Sequence, residues 1–124
     1  MQFLMLIYTD PQLLEALPDG EFDAWMRGCI RKADALRADG RLLASQQLEA
    51  PATAKSLRVR QGRETVLDGP FAETKEVLAG FNLVEADSLD EAMELARAFP
   101  WSRTGCIEVR PVRDFEGVRR RVGA

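Results

Sequence analysis

No histidine occurs among the 124 residues of this chain. Serine–histidine–aspartate triads, cysteine–histidine pairs, H-E-x-x-H zinc sites and imidazole proton shuttles are therefore excluded, and any acid–base chemistry must come from carboxylates, lysine, tyrosine or cysteine. Cysteine is scarce as well. Cys29 and Cys106 lie far apart and form no C-x-x-C pair. A glycine-rich phosphate loop is missing, which argues against nucleotide-dependent phosphoryl transfer. No EF-hand spacing is present either, although Asp68, Glu73, Glu76 and Glu108 could offer oxygen atoms to Mg²⁺ or Ca²⁺. Solvation explains most of these carboxylates equally well, so neither a metal nor another cofactor is expected. There is no basic surplus: 17 basic residues against 20 acidic ones leave a net charge of −3. That argues against nucleic acid or an anionic membrane as the main partner. Long hydrophobic runs are absent too. The apolar run from Phe3 to Tyr8 has no basic region before it and is too short to span a bilayer, so a cytoplasmic protein with two reduced thiols is expected.

What is present fits a single domain over residues 1–124. With 46% hydrophobic and 30% charged residues, a chain of this size can bury enough surface to fold without metal or disulfide. Phe3 to Tyr8 predicts a strand covered on both sides. Beyond the turn residues Asp10-Pro11 and Pro18-Asp19-Gly20, the residues Phe22, Trp25, Met26, Cys29, Ile30, Ala33 and Leu36 recur at helical steps and predict one buried helix face. Gly40 suits the left-handed position just past that helix. Leu42 to Leu48 predicts a second strand. Ser56 to Arg60 and Arg63 to Asp68, joined by Gln61-Gly62, predict a hairpin with one wet face. Leu78 to Glu85 predicts a further strand. Ser88 and Glu91 have the spacing of a capping box that opens a second helix, with Leu89, Ala92, Met93, Ala96 and Phe99 as its buried stripe. Cys106 to Val112 predicts the closing strand, and Arg119-Arg120-Arg121 reads as a solvated tail.

Without the hairpin the order is β-α-β-β-α-β, an α+β, ferredoxin-like arrangement with an antiparallel sheet and helices on one face. Alternation then assigns the two faces. If Phe81 and Leu83, with Ile107 and Val109, face the helices, then Asn82, Glu108 and Arg110 fall on the open face. The first strand is apolar on both sides, so either Phe3/Met5/Ile7 or Leu4/Leu6/Tyr8 must also line that open face. A second subunit closing over it would leave a pocket rimmed by polar groups. A solvent-exposed Glu108–Arg110 pair is the plainer alternative.

The stretch DGPFAETKE (Asp68 to Glu76) concentrates charge around a rigid Gly-Pro corner. As a turn, Asp68 bonds the backbone ahead of it, Gly69 tolerates unusual φ, Pro70 fixes direction and Phe71 plugs the core beneath. As a site, the same rigidity holds Asp68 or Glu73 in fixed geometry as a general acid or base. Lys75 and Arg110 would then bind an anionic group and Tyr8 would supply a hydroxyl, with Asn82 and Glu108 completing the set of ligand-binding candidates. Cys106 reads as a small buried hydrophobe. Trp25 and Met26 sit at core spacing.

DGPFAETKE resembles the signature of the DGPF family within the YCII-related superfamily. FLMLIY, LAGFNLVEADSLDEAMELARAFP and IEVRPV are similar to other segments of that family, in the same order. The resemblance implies a subunit that dimerises through its open sheet face into an α/β barrel. Related YCII proteins carry a His-Asp pair proposed to be catalytic, and with no histidine here that pair does not carry over. Some members are encoded beside or fused to extracytoplasmic-function sigma factors. The expected function is therefore a homodimeric accessory or sensor protein for a small polar ligand, with a sigma factor as a partner implied by the family. Two alternatives are a cofactor-free enzyme using Asp68 or Glu73, and a purely structural partner of a transcription regulator.

Overall fold

The computed structural model describes all residues from Met1 to Ala124. In chain order the elements are β1 (Gln2–Thr9), α1 (Pro11–Glu15), α2 (Glu21–Ala38), β2 (Leu42–Gln47), β3 (Lys55–Arg60), β4 (Arg63–Asp68), β5 (Val77–Glu85), α3 (Leu89–Arg97), β6 (Gly105–Pro111) and α4 (Phe115–Val122). Short 3₁₀ turns at Pro51–Thr53 and Pro100–Arg103 join neighbouring elements. The main sheet runs β2-β5-β1-β6 with every neighbouring pair antiparallel, and β3-β4 forms a separate two-stranded sheet. Set the hairpin aside and the sheet has the ferredoxin-like order expected from the sequence.

Local signals account for the element ends. Asp39 closes α2, Gly40 follows at φ +77°, and the Arg41 N–H reaches back to the Leu36 carbonyl at 2.9 Å, as in a Schellman motif. Ser88 caps α3 by accepting from the Glu91 N–H at 3.1 Å, while the Glu91 carboxylate accepts from the Asp87 N–H, one residue before the usual capping-box donor. The β3–β4 turn places Gln61 and Gly62 at φ 54° and 74°, the type I′ geometry that matches strand twist.

The core lies between the sheet and its helices. Phe3, Met5 and Val84 from the sheet meet Leu36 of α2, Ala92, Leu95 and Ala96 of α3, and then Phe99 and Trp101 beyond them. Trp101 is buried and stacks edge-on against Trp25 at 5.8 Å between ring centroids. The stripe on α3 is shifted from the one expected: Leu95 is buried, whereas Leu89 is exposed.

Two elements were missed in the sequence. α1 occupies the supposed turn after β1, with Asp10 as N-cap and Pro11 at the first helical position. α4 replaces the expected solvated tail: Asp114 caps it, Glu116 lies in its first turn, Arg119, Arg120 and Arg121 in its last, and Gly123 ends it in the left-handed conformation. The hairpin differs as well. It is wet on both faces, with Leu57, Val59, Val66 and Leu67 all more than half exposed.

Pairing register fixes which residues share a face of the sheet. Met5 is fully buried, and it stands opposite Asn82 on one side and Val109 on the other. The helix-facing set is therefore Phe3, Met5, Ile7, Asn82, Val84, Ile107 and Val109. The open face carries Leu4, Leu6, Tyr8, Phe81, Leu83, Glu108 and Arg110. The expected orientation of β5 is thus reversed. Alternation favours burying Phe81 and Leu83 over the side that carries polar Asn82, but pairing with β1 turns Asn82 and Val84 inward with Met5 and Phe3.

Candidate functional site

The DGPF corner is held rigid by its own backbone. β4 ends at Asp68, and Gly69 then turns at φ +95°, a conformation that suits glycine alone among common residues. The Gly69 N–H donates to the Ala54 carbonyl at 2.7 Å, and the Ser56 hydroxyl donates to the Gly69 carbonyl at 2.9 Å. These bonds tie the corner to the start of β3. From there the chain crosses to the open face of the main sheet and enters β5 at Val77.

Beneath the corner lies a cavity of about 500 Å³. Tyr8 and Leu78 come to it from the sheet, Glu49 and Pro51 from the segment after β2, and Phe71 and Thr74 from the corner. Phe71 is 78% exposed and does not plug the core. Tyr8 belongs to the open face, as the site reading required, and it is half-buried.

Asp68 and Glu73 are placed differently from what the site reading required. The Asp68 side chain is 86% exposed, and its carboxylate pairs with Lys55 at 3.5 Å, directly across the hairpin register. Glu73 is exposed too, and neither residue lines the cavity. The reason is geometric. Asp68 is the last residue of a ladder that projects from the domain, and Gly69 turns the chain only after it.

Lys75 reaches a buried carboxylate, a partner without a clear signal in the sequence. Its Nζ lies 3.7 Å from Oδ2 of Asp10, a side chain only 4% exposed. Asp10 follows directly on β1. Its Oδ1 accepts from the Gln12 N–H at 2.9 Å, capping α1, and its own N–H donates to the Thr104 carbonyl at 2.9 Å. One carboxylate oxygen is thus committed to the backbone, while the other faces only an exposed lysine at ion-pair distance. Nearby, Thr104 is buried and its hydroxyl has no partner. A buried carboxylate is costly unless its oxygens are paired, so this placement demands explanation. The available sequence signal was Asp10-Pro11, a cap followed by proline at the first helical position, which is indistinguishable from a simple turn without Thr104 and Lys75 beside it.

Glu108 and Arg110 lie on the open face and bond each other at 2.7 Å. That hydrogen bond, then the charge of Glu108 and to a lesser degree Tyr8, hold the guanidinium above its ordinary value. Arg110 is therefore a permanent cation already engaged by its neighbour. Asn82 is elsewhere. It points to the helix side, 5% exposed, with its Oδ1 accepting from the Ser45 hydroxyl at 2.6 Å. It borders a separate cleft of about 250 Å³ between α2 and the β2–β5 edge. Cys106 is exposed on the open face rather than buried. No three His, Cys, Asp or Glu side chains converge as a metal cage, and no helix is long and apolar enough to cross a membrane.

Comparison with known proteins places these features in context. The profile described as YCII-related domain matches residues 1–116. An uncharacterised protein of Rhizobium meliloti (strain 1021) is 37% identical over 114 residues, which cover 90% of this chain and 92% of that protein. Among solved structures, the 5-chloro-2-hydroxyhydroquinone dehydrochlorinase TftG of Burkholderia phenoliruptrix AC1100, in complex with 2,5-dihydroxybenzoquinone, superposes with a TM-score of 0.53. It is 16% identical over 91% of this chain and 94% of that one, so the likeness is one of fold.

Proposed function

The chain belongs to the YCII-related family, and from that premise we propose that it is a homodimeric, cytoplasmic protein that binds a compact polar molecule in the cavity beneath the DGPF corner. The observation that carries this reading is the Asp10–Lys75 pair. It ties the roof of the cavity to the end of β1 through a single 3.7 Å contact on an otherwise buried carboxylate. Lys75 is flanked in the chain by Thr74 and Glu76, which both line the cavity, and it turns away from them to reach Asp10. An anionic group entering beneath the corner competes for Lys75, whose four-carbon stem swings easily. Tyr8 supplies a hydroxyl on the floor, and Phe71 offers a ring from above.

The enzyme alternative keeps its form and changes its carboxylate. Asp68 and Glu73 stand exposed outside the cavity, whereas Asp10 is buried at the end of β1 and pairs with Lys75, whose chain neighbours Thr74 and Glu76 line the cavity. Once Lys75 turns to a ligand, Oδ2 of Asp10 is free to take a proton from an acidic O–H or C–H of that ligand and to return it to the product or to water. TftG, a dehydrochlorinase with a bound dihydroxyquinone, gives this reading a precedent in fold, not in residues. A sensor acting on an extracytoplasmic-function sigma factor is a further reading. It is favoured by α4, whose Phe115 and Val122 are 65% and 57% exposed along one side.

A thermal-shift titration with 2,5-dihydroxybenzoquinone and with simple hydroxybenzoates tests the site. Saturable stabilisation is expected for the wild type, with loss in Lys75→Met and retention in Asp68→Asn. Loss in Asp68→Asn with retention in Lys75→Met would return the site to the hairpin and overturn this reading.

A further inference from the structure

α2 leaves its N-terminal half poorly seated. Leu36 is its one buried residue, while Phe22 and Ile30 are 38% and 52% exposed despite lying on the apolar stripe. Between this half and the β2–β5 edge lies the 250 Å³ cleft, on the opposite side of the sheet from the corner cavity. An engineered apolar cavity of roughly 150 Å³ holds benzene, so the cleft has room for one substituted aromatic ring.

Its lining is chemically selective. Twelve of the eighteen lining residues are hydrophobic, with Phe22, Phe99 and Trp101 among them, and none carries a formal charge. The thiol of Cys29 stays protonated, since burial pushes it above its ordinary value despite an opposing hydrogen bond with Trp101. Thr9, Ser45, Gln46 and Gln47 also line the cleft, and Asn82, at 5% exposure, is the most deeply buried of its polar side chains. The Ser45 hydroxyl occupies Oδ1 and so fixes the direction of the amide, leaving the Nδ2 donor without a protein acceptor. Thr104 Oγ1 is the one fully enclosed side-chain polar atom without a partner, so Asn82 Nδ2 keeps access to the cleft, and a site that offers a donor there favours molecules with an acceptor to meet it.

We propose that the helix-side cleft is a second binding site, for a neutral, compact aromatic molecule bearing one hydrogen-bond acceptor, which Asn82 Nδ2 recognises while Trp101 and Phe22 hold the ring. The two sites divide the chemistry. The corner cavity, lined by Glu49, Glu76 and Tyr8, suits a charged or strongly polar molecule, and the cleft suits an uncharged one. The cleft site stands independently of the corner site.

Ligand-observed ¹⁹F NMR tests this with 4-fluoroacetophenone, a ring with one carbonyl acceptor, and 4-fluorotoluene, the same ring without it. The wild type is expected to bind both saturably and the ketone more tightly. Asn82→Leu weakens the ketone about fivefold, the net worth of one hydrogen bond, and does not weaken the toluene. Ala33→Trp, which fills the cleft from α2, abolishes both. Ile30→Trp at the cleft mouth serves the same purpose should Ala33→Trp fail to fold. Lys75→Met leaves both affinities unchanged, which separates this site from the corner. Absence of saturable binding to the folded wild type, equal weakening of both probes by Asn82→Leu, or binding that survives in the folded cleft-filling variant would each overturn the proposal.

Discussion

Asp10 and Asp68 show how little a residue type says about its role until its surroundings are known. Both precede a turn residue, yet one is buried with a committed oxygen and the other stands in water beside Lys55. Asp10→Ala removes the α1 cap and is expected to cost about 1–2 kcal/mol. Asp68→Asn gives up only an exposed ion pair and should change stability by less than about 0.5 kcal/mol. Urea denaturation distinguishes the two, and equal losses would contradict the burial difference. Cys29 is partly buried and its thiol is raised, so the folded state holds that proton more tightly than the unfolded chain. Its contribution is therefore complete below the unfolded thiol value, roughly 8.5, and is lost as pH rises through the folded value. Unfolding midpoints measured across the alkaline range should fall more steeply in the wild type than in Cys29→Ala.

At the scale of elements, capping chemistry and apolar spacing translated well into structure, while the depth of burial did not. The stripe on α2 puts Trp25 at its centre, yet Trp25 is only half-buried, and its indole N–H donates to Glu21 at 3.0 Å at the core edge. Trp101, which follows a helix-ending proline, is the buried partner. Trp101→Ala is accordingly expected to cost about 3–5 kcal/mol, and Trp25→Ala clearly less. Chemical denaturation that ranks Trp25 as the costlier loss would mean that α2 packs more deeply than it does here. α4 teaches a related point: an acidic start, a basic end and a terminal glycine outline a helix even where few apolar residues draw it to a core.

At the scale of the whole molecule, one face of the sheet remains to be covered. Leu4, Leu6, Phe81 and Leu83 are half-buried on the open face, and the hairpin adds exposed Leu57, Val59 and Val66. Apolar area of this extent marks an interaction surface. Dimerisation through it would bury about 1,600 Å² or more in total. Leu6→Glu sets a charge between Phe81 and Glu108 at the centre of β1, so light scattering should report a dimer for the wild type and a monomer for the variant. A wild-type monomer at micromolar concentration would leave the open face without its proposed partner.

The sequence by itself determined the six strands and the helices α2 and α3 in their order, the hairpin turn, the caps at Ser88 and Gly40, and the ferredoxin-like arrangement, though not α1 or α4, because each follows from contacts within a few residues or from periodicity along one segment. It also marked DGPFAETKE as a rigid corner, since glycine and proline impose that locally. The tertiary structure alone decided which side of β5 turns inward, because Phe81 and Leu83 stand on one side and Val84 with polar Asn82 on the other, and only the register with Met5 places the second pair inward. It moved Asn82 from the open face to the helix-side cleft for the same reason. It also buried Asp10 and left Asp68 in solvent: the surroundings of Asp10 include the Thr104 carbonyl and Lys75, groups brought from distant parts of the chain, and no local pattern encodes such a meeting.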